Sequence, residues 1–169
     1  MDDITLLRRA VDDATRLIDG IGADQQALPT PCPDFSVGQI VDHLREGADM
    51  FADALGAPAV DDRSWKAAGQ RLVDALSAPG ALDGTVQLPY GEFPGIAVLH
   101  QAIGEVAIHA CDIARSTGQA IGDDDVYERV FEVVGDEWRG ENVLGPAVPC
   151  PDDAPLVERV LAFAGRTVA

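Results

Sequence analysis

Four stretches of this chain repeat apolar residues every third or fourth position, the spacing that gathers them on one face of an α-helix. In the first, Asp3 to Asp19, the stripe is Ile4, Leu7, Val11, Ala14 and Ile18, and Gly20 and Gly22 end it. The second, Ser36 to Leu55, carries Val37, Ile40, Val41, Leu44, Ala48, Phe51, Ala52 and Leu55. Ser36 suits its N-cap, and Gln39 three residues on completes a capping box. The third runs from Pro94, a residue suited to a first turn, to Thr117 and stops at Gly118. The fourth, Asp123 to Arg139, turns Val126, Val130, Phe131, Val134 and Trp138 inward. These stripes predict an all-α chain: an up-down four-helix bundle of these four members, with short accessory helices and little or no strand.

The segments between them read as connectors. Pro29, Pro31 and Pro33 alternate through Leu28 to Asp34, and proline stiffens its neighbours and cannot donate into a helix ladder, so a rigid extended connector is expected. Ser64 to Ser77 reads as a shorter helix closed by Pro79-Gly80, Gly84 to Gly91 as an extended segment or hairpin arm, and Gly145 to Asp153 as a Pro-rich connector. Leu156 to Ala164 is a last helix that Gly165 ends. A length of 169 residues suits one domain over residues 1–169, with enough core to fold without a metal.

Charge narrows the partners. Acidic residues number 29 against 12 basic, a formal net charge of −17. Such a surface repels phosphate backbones and anionic membranes, so neither nucleic acid nor a membrane is expected as a partner. No apolar run approaches the roughly 18 residues of a membrane span, and the acidic, helical start has no signal-peptide core, which predicts a cytoplasmic protein. Cys32, Cys111 and Cys150 are odd in number and far apart. They read as small apolar residues in a reducing cell rather than a disulfide framework or metal knuckle.

The histidines are His43, His100 and His109. At about 100° per residue, Glu105, His109, Asp112, Ser116 and Gln101 form one polar stripe along the third helix, without lysine or arginine. His100 falls about 180° from His109 on that helix, so both cannot serve one ion. Two readings fit the stripe. It is a solvent face, or it is half of a metal site, because i, i+4 side chains sit one turn apart and can share an ion. His43 likewise reads as a half-exposed histidine beside its helix's apolar stripe, or as a third ligand from a facing helix. Two histidines and one carboxylate make an open zinc site with a position left for water or substrate. Asp112 is then either a surface acid or the acceptor that orients a ligating histidine.

Several segments together resemble a known family. They are Thr30-Pro-Cys-Pro-Asp-Phe35, Asp42-His43-Leu44, Pro79-Gly-Ala-Leu82, Val86-Gln-Leu-Pro-Tyr-Gly91, the run from Glu105 through His109 and Asp112 to Gly118, the Gly145–Pro151 connector and Leu161–Arg166. The chain resembles the DinB-like superfamily, and within it the metal-binding N-terminal domain of actinobacterial mycothiol-dependent maleylpyruvate isomerases. The resemblance implies a divalent ion, most often zinc, held by His43, Glu105 and His109, with Asp112 behind them. It also implies mycothiol as cosubstrate: a metal-bound thiol is deprotonated, and the thiolate is the nucleophile. The isomerase carries a further C-terminal domain beyond its helical part, and this chain runs to Ala169.

The expected function is therefore a divalent-metal protein working as a mycothiol-dependent S-transferase or isomerase, whose partners are a small-molecule thiol and an electrophilic substrate. The alternatives are a non-enzymatic metal- or ligand-binding or regulatory module, and a metal-dependent hydrolase. A monomer or homodimer is expected. Arg115 and Arg71 are the candidate anion clamps, and Tyr90, Phe93 and Trp65 the aromatic residues to seek near a substrate pocket.

Overall fold

The computed structural model describes residues 2–135, 138–139 and 144–167. Its elements in chain order are α1 (Asp3–Asp19), α2 (Val37–Ala54), α3 (Trp65–Leu76), the strands β1 (Thr85–Leu88) and β2 (Gly91–Pro94), then α4 (Gly95–Thr117), α5 (Asp124–Val133) and α6 (Leu156–Phe163). The architecture is mostly helical, and the only sheet among the described residues is the antiparallel ribbon of β1 and β2. Its register pairs Leu88 with Gly91, so Pro89 and Tyr90 make the turn.

Local chemistry sets the helix starts. Asp2 caps α1 by accepting from the Thr5 amide at 3.0 Å. Ser36 and Gln39 form a complete capping box on α2. Pro94 ends the ribbon and caps α4, whose first amide, on Gly95, donates 2.8 Å to the Gly84 carbonyl. Gly95 is required there: an added Cβ falls 2.3 Å from the Ala81 carbonyl oxygen. At the other end Gly118 takes a left-handed φ of 74°, which glycine adopts without steric cost.

The membership of the bundle differs from expectation. α1 packs on α4 and α3, and α2 packs on α3 and α4, so these four close a ring around the core. The expected fourth member, Asp123 to Arg139, is instead the ten-residue α5, which packs with α6 on α4. It stops because Val134 leaves helical geometry at φ −94°, ψ 98°, and Val134 packs against α4 at Gly104, where the missing side chain leaves it room. Residues 136 and 137 of the expected helix lie outside the described residues. α3 takes the fourth place because its whole inner face is buried, Trp65 through Leu76, with the Trp65 indole N–H donating to the Thr15 hydroxyl of α1 at 3.0 Å.

α4 is the hub. Leu99, Ile103 and Ile113 are fully buried, each stabilising the fold by about 2 kcal/mol. Length and composition alone would let α4 cross a membrane, contrary to the reading that no such run exists, but 72% of the qualifying window is buried inside the protein. A buried polar knot ties α1 to α5: the Tyr127 hydroxyl donates 2.6 Å to Asp13, which also accepts from Arg16 and the Gly122 amide.

The proline connector is not extended. Pro29 bridges to Ser36, closing a loop, and the Thr30 hydroxyl bonds the carbonyls of Cys32 and Phe35 at 2.9 and 2.8 Å. The three prolines set φ, and Thr30 with the Cys32–Phe35 turn folds the segment back, which presses Cys32 into the core and brings Phe35 against α2 and α4.

Candidate metal centre

α2 supplies His43, and α4 supplies Glu105 and His109 one turn apart. Because α2 and α4 pack side by side, the polar stripe of α4 meets His43 rather than open solvent. One ligand atom from each of the three residues lies within 4.8 Å of the other two. His43 Nε2 is 2.6 Å from Glu105 Oε1, and His109 Nε2 is 3.5 Å from the same oxygen. His109 is buried, whereas the His43 and Glu105 side chains are 39% and 30% exposed. The cluster therefore sits at the mouth of the helix pair.

The electrostatics follow from this packing. Its hydrogen bond to Glu105 raises the His43 pKa, against an opposing effect of burial. Burial pushes Glu105 the other way, upward, but the charges of His109, His43 and Arg166 with the His43 hydrogen bond outweigh it and hold the carboxyl below its ordinary value.

Behind the cluster, His109 Nδ1 faces Asp112 Oδ2 at 2.9 Å. Asp112 is fully buried, so the surface-acid reading of this residue is wrong: i, i+3 spacing turns it inward beneath His109. Its contact holds Nδ1 toward the carboxyl and leaves His109 Nε2 pointing to Glu105 and His43. His100 lies elsewhere, 2.8 Å from Asp3 on α1, as its place on the opposite side of α4 requires.

Three residues that the sequence reading did not assign to the site also meet here. Phe35 stacks on the His43 ring, centroids 4.9 Å and planes 25° apart, and meets His109 edge-on at 6.2 Å. Cys32 shares a second close cluster with His109 and Asp112; burial raises the pKa of its thiol, with Asp112 adding and Arg166 opposing. Arg166, beyond α6, places Nε 3.6 Å from Asp112 Oδ1. The Thr30–Phe35 motif contains the first two and the Leu161–Arg166 segment the third, but neither spacing says that they meet His43, His109 and Asp112.

Beside Glu105 and His109 lies a recess of about 30 Å³, room for a water or two. Gln101, Ile108, Trp138, Leu144 and Arg166 line it. Tyr90 and Phe93 stand at its edge, Tyr90 donating 3.0 Å to Gln101 and Phe93 packing 5.7 Å from Trp138. Trp65 belongs instead to the α1–α3 core. A larger groove of about 830 Å³ runs along α2 past Glu46, Met50 and Ala54 toward the turn of the ribbon. Neither expected anion clamp is at the recess: Arg71 is buried against Asp49, Asp53 and two carbonyls, and Arg115 lies on an exposed face.

Two imidazole nitrogens and a carboxylate oxygen, one histidine backed by a buried carboxylate, are the donor set that a divalent ion such as zinc takes with one position open. By fit, the residues present suit the metal that the family resemblance implies. The fold gathers these three side chains between two helices that pack together, the arrangement in which helical proteins build metal sites. The chain belongs to the family of the mycothiol maleylpyruvate isomerase N-terminal domain, whose sequence profile matches residues 7–70, from α1 through His43 into α3. Its relatives include uncharacterized proteins from two strains of Mycobacterium tuberculosis, each 31% identical over 181 residues, an alignment spanning 99% of this chain and all of theirs. No solved structure matches the chain.

Proposed function

We propose that His43, Glu105 and His109 hold a divalent ion, zinc by donor type, and that the protein is a mycothiol-dependent S-transferase or isomerase acting on a small electrophile. The observation that carries this reading is the meeting of three donor atoms from two helices within 4.8 Å, with the far nitrogen of His109 already committed to Asp112. Membership of a mycothiol-related family supports the choice of thiol.

When bound, the ion supplies a Lewis acid that lowers the pKa of a thiol at its open position. The chain's residues do the rest. Three ligands with one negative charge leave a positively charged site that favours an anionic sulfur. Asp112 holds the His109 ring in orientation, and Phe35 covers one face of His43. The recess between Glu105, Trp138 and Arg166 is where a substrate group would be held in line with the sulfur.

The test is conjugation of mycothiol to monochlorobimane by zinc-loaded protein, compared with His43→Ala at matched folding. The expected result is fast transfer by the native chain and none above background by the variant. Equal rates end the transferase reading. No transfer by either, with zinc bound, favours a non-catalytic module, and zinc-dependent ester cleavage without thiol favours a hydrolase.

A further inference from the structure

Asp112 presents a half-satisfied carboxyl deep in the protein. It is fully buried, and among the described residues only one of its oxygens has a hydrogen bond: Oδ2 takes His109, while Oδ1 has no hydrogen-bond partner there. A buried carboxylate needs a compensating charge, because desolvation otherwise favours its neutral form. The cation beside Oδ1 is Arg166, whose Nε is 3.6 Å away, itself buried and without a hydrogen bond. Its side chain is only 12% exposed.

The backbone delivers Arg166 deliberately. Gly165 takes φ 79°, and a Cβ there would fall 2.9 Å from the Gly145 backbone and the Pro146 carbonyl oxygen. The Arg166 amide donates to the Leu161 carbonyl at 2.9 Å, and the Val148 amide donates to the Ala162 carbonyl at 2.9 Å. The turn after α6 is thus fastened to the 145–148 connector and aims Arg166 under α4. The guanidinium reaches Asp112 at Oδ1, the oxygen that His109 does not take, and it also borders the recess beside Glu105.

The structure assigns Arg166 as a positioning residue of the metal centre: it holds the Asp112 carboxyl in place, and Asp112 in turn holds the His109 ring with Nδ1 inward and Nε2 toward the ligand cluster. This assignment rests on the metal reading above, which it deepens. It makes the turn after α6, far beyond all three ligands in the chain, part of the site.

The test uses the full chain with cobalt(II), whose visible spectrum reports its ligand geometry. Arg166→Gln is expected to weaken cobalt binding about ten-fold, the low end for loss of an outer partner, and to alter the spectrum, with Arg166→Lys recovering most of the affinity. Arg166 acts through Asp112, so adding Arg166→Gln to Asp112→Asn should cost nothing further. That double variant removes both buried charges and serves if Arg166→Gln alone does not fold. Native affinity and spectrum in Arg166→Gln, or a further ten-fold loss in the double variant, overturns the assignment. Absence of cobalt binding by the native chain defeats the metal reading instead. The assignment then stands or falls on the metal-free imidazole ¹⁵N spectrum, where His109 should show one Nδ1–H tautomer in the native chain and a mixture in Arg166→Gln. The same tautomer in both overturns it.

Discussion

The Phe35 ring lies stacked on the His43 imidazole, 4.9 Å between centroids and 25° between planes, so a loop residue outside every helix fixes the orientation of the one candidate ligand that α2 contributes. Truncating it frees that ring. Phe35→Ala should lower metal affinity roughly ten-fold, as loss of an orienting partner does, and cost about 1 kcal/mol of stability for the lost aromatic contact. Competition against a chromophoric chelator and a urea unfolding curve measure the two effects separately. Unchanged metal affinity in a folded variant removes Phe35 from the site.

His109→Ala should abolish metal binding and leave a folded, helical protein, because the ring of α1, α3, α2 and α4 buries its core without help from an ion. His100→Ala is the matched control. It removes one of the two partners of Asp3, Arg129 being the other, a partly exposed pair worth at most about 1 kcal/mol, and should bind metal as the native chain does. Metal analysis and far-UV circular dichroism of the two variants check this. Unfolding of His109→Ala in metal-free buffer would make the ion structural.

Asp3 predicts the acid side of the stability curve. Burial acts to raise its pKa, but hydrogen bonds and charges from His100 and Arg129 outweigh it and hold the group below its ordinary value of 3.8. A carboxyl depressed on folding contributes stability that is fully present above its unfolded pKa and is lost as pH falls through its folded one. The contribution should therefore be constant near neutrality and disappear below about pH 4. Asp3→Asn should lower stability at pH 6 and converge with the native chain in strong acid. Denaturant midpoints across that range test it, and a constant gap down to pH 2 contradicts it.

Gly165→Ala should cost about 2 kcal/mol or more, because it forces a side chain into a left-handed φ of 79° and against the Gly145 and Pro146 backbone. It should also weaken metal binding, since the same turn aims Arg166 at Asp112. Thermal unfolding and cobalt titration of one preparation read both losses. A loss of stability with full metal affinity would separate the turn from the site.

Much of this was readable along the chain because helices are local. The apolar period placed α1 from Asp3 to Asp19, Ser36 with Gln39 marked the start of α2, and Gly118 its counterpart at the end of α4. The same period separated His100 from His109 and set Glu105, His109 and Asp112 on one side of α4, where they are found. It could not say which neighbour covers that side. Depth of burial depends on the facing surface, so Asp112 reads equally well as a surface acid or a buried one until α4 is seated in the bundle.

The sequence by itself therefore determined α1, α2 and α4, their faces and the i, i+4 pairing of Glu105 with His109, since each depends only on residues within a turn or two. Tertiary structure alone decided the rest. It chose α3 over α5 for the ring, folded the proline loop back so that Phe35 meets His43, and brought Arg166 to Asp112. Those contacts join residues far apart in the chain, and no local spacing encodes them. They exist because apolar faces can be buried only against one another, and the polar side chains between those faces are carried together with them.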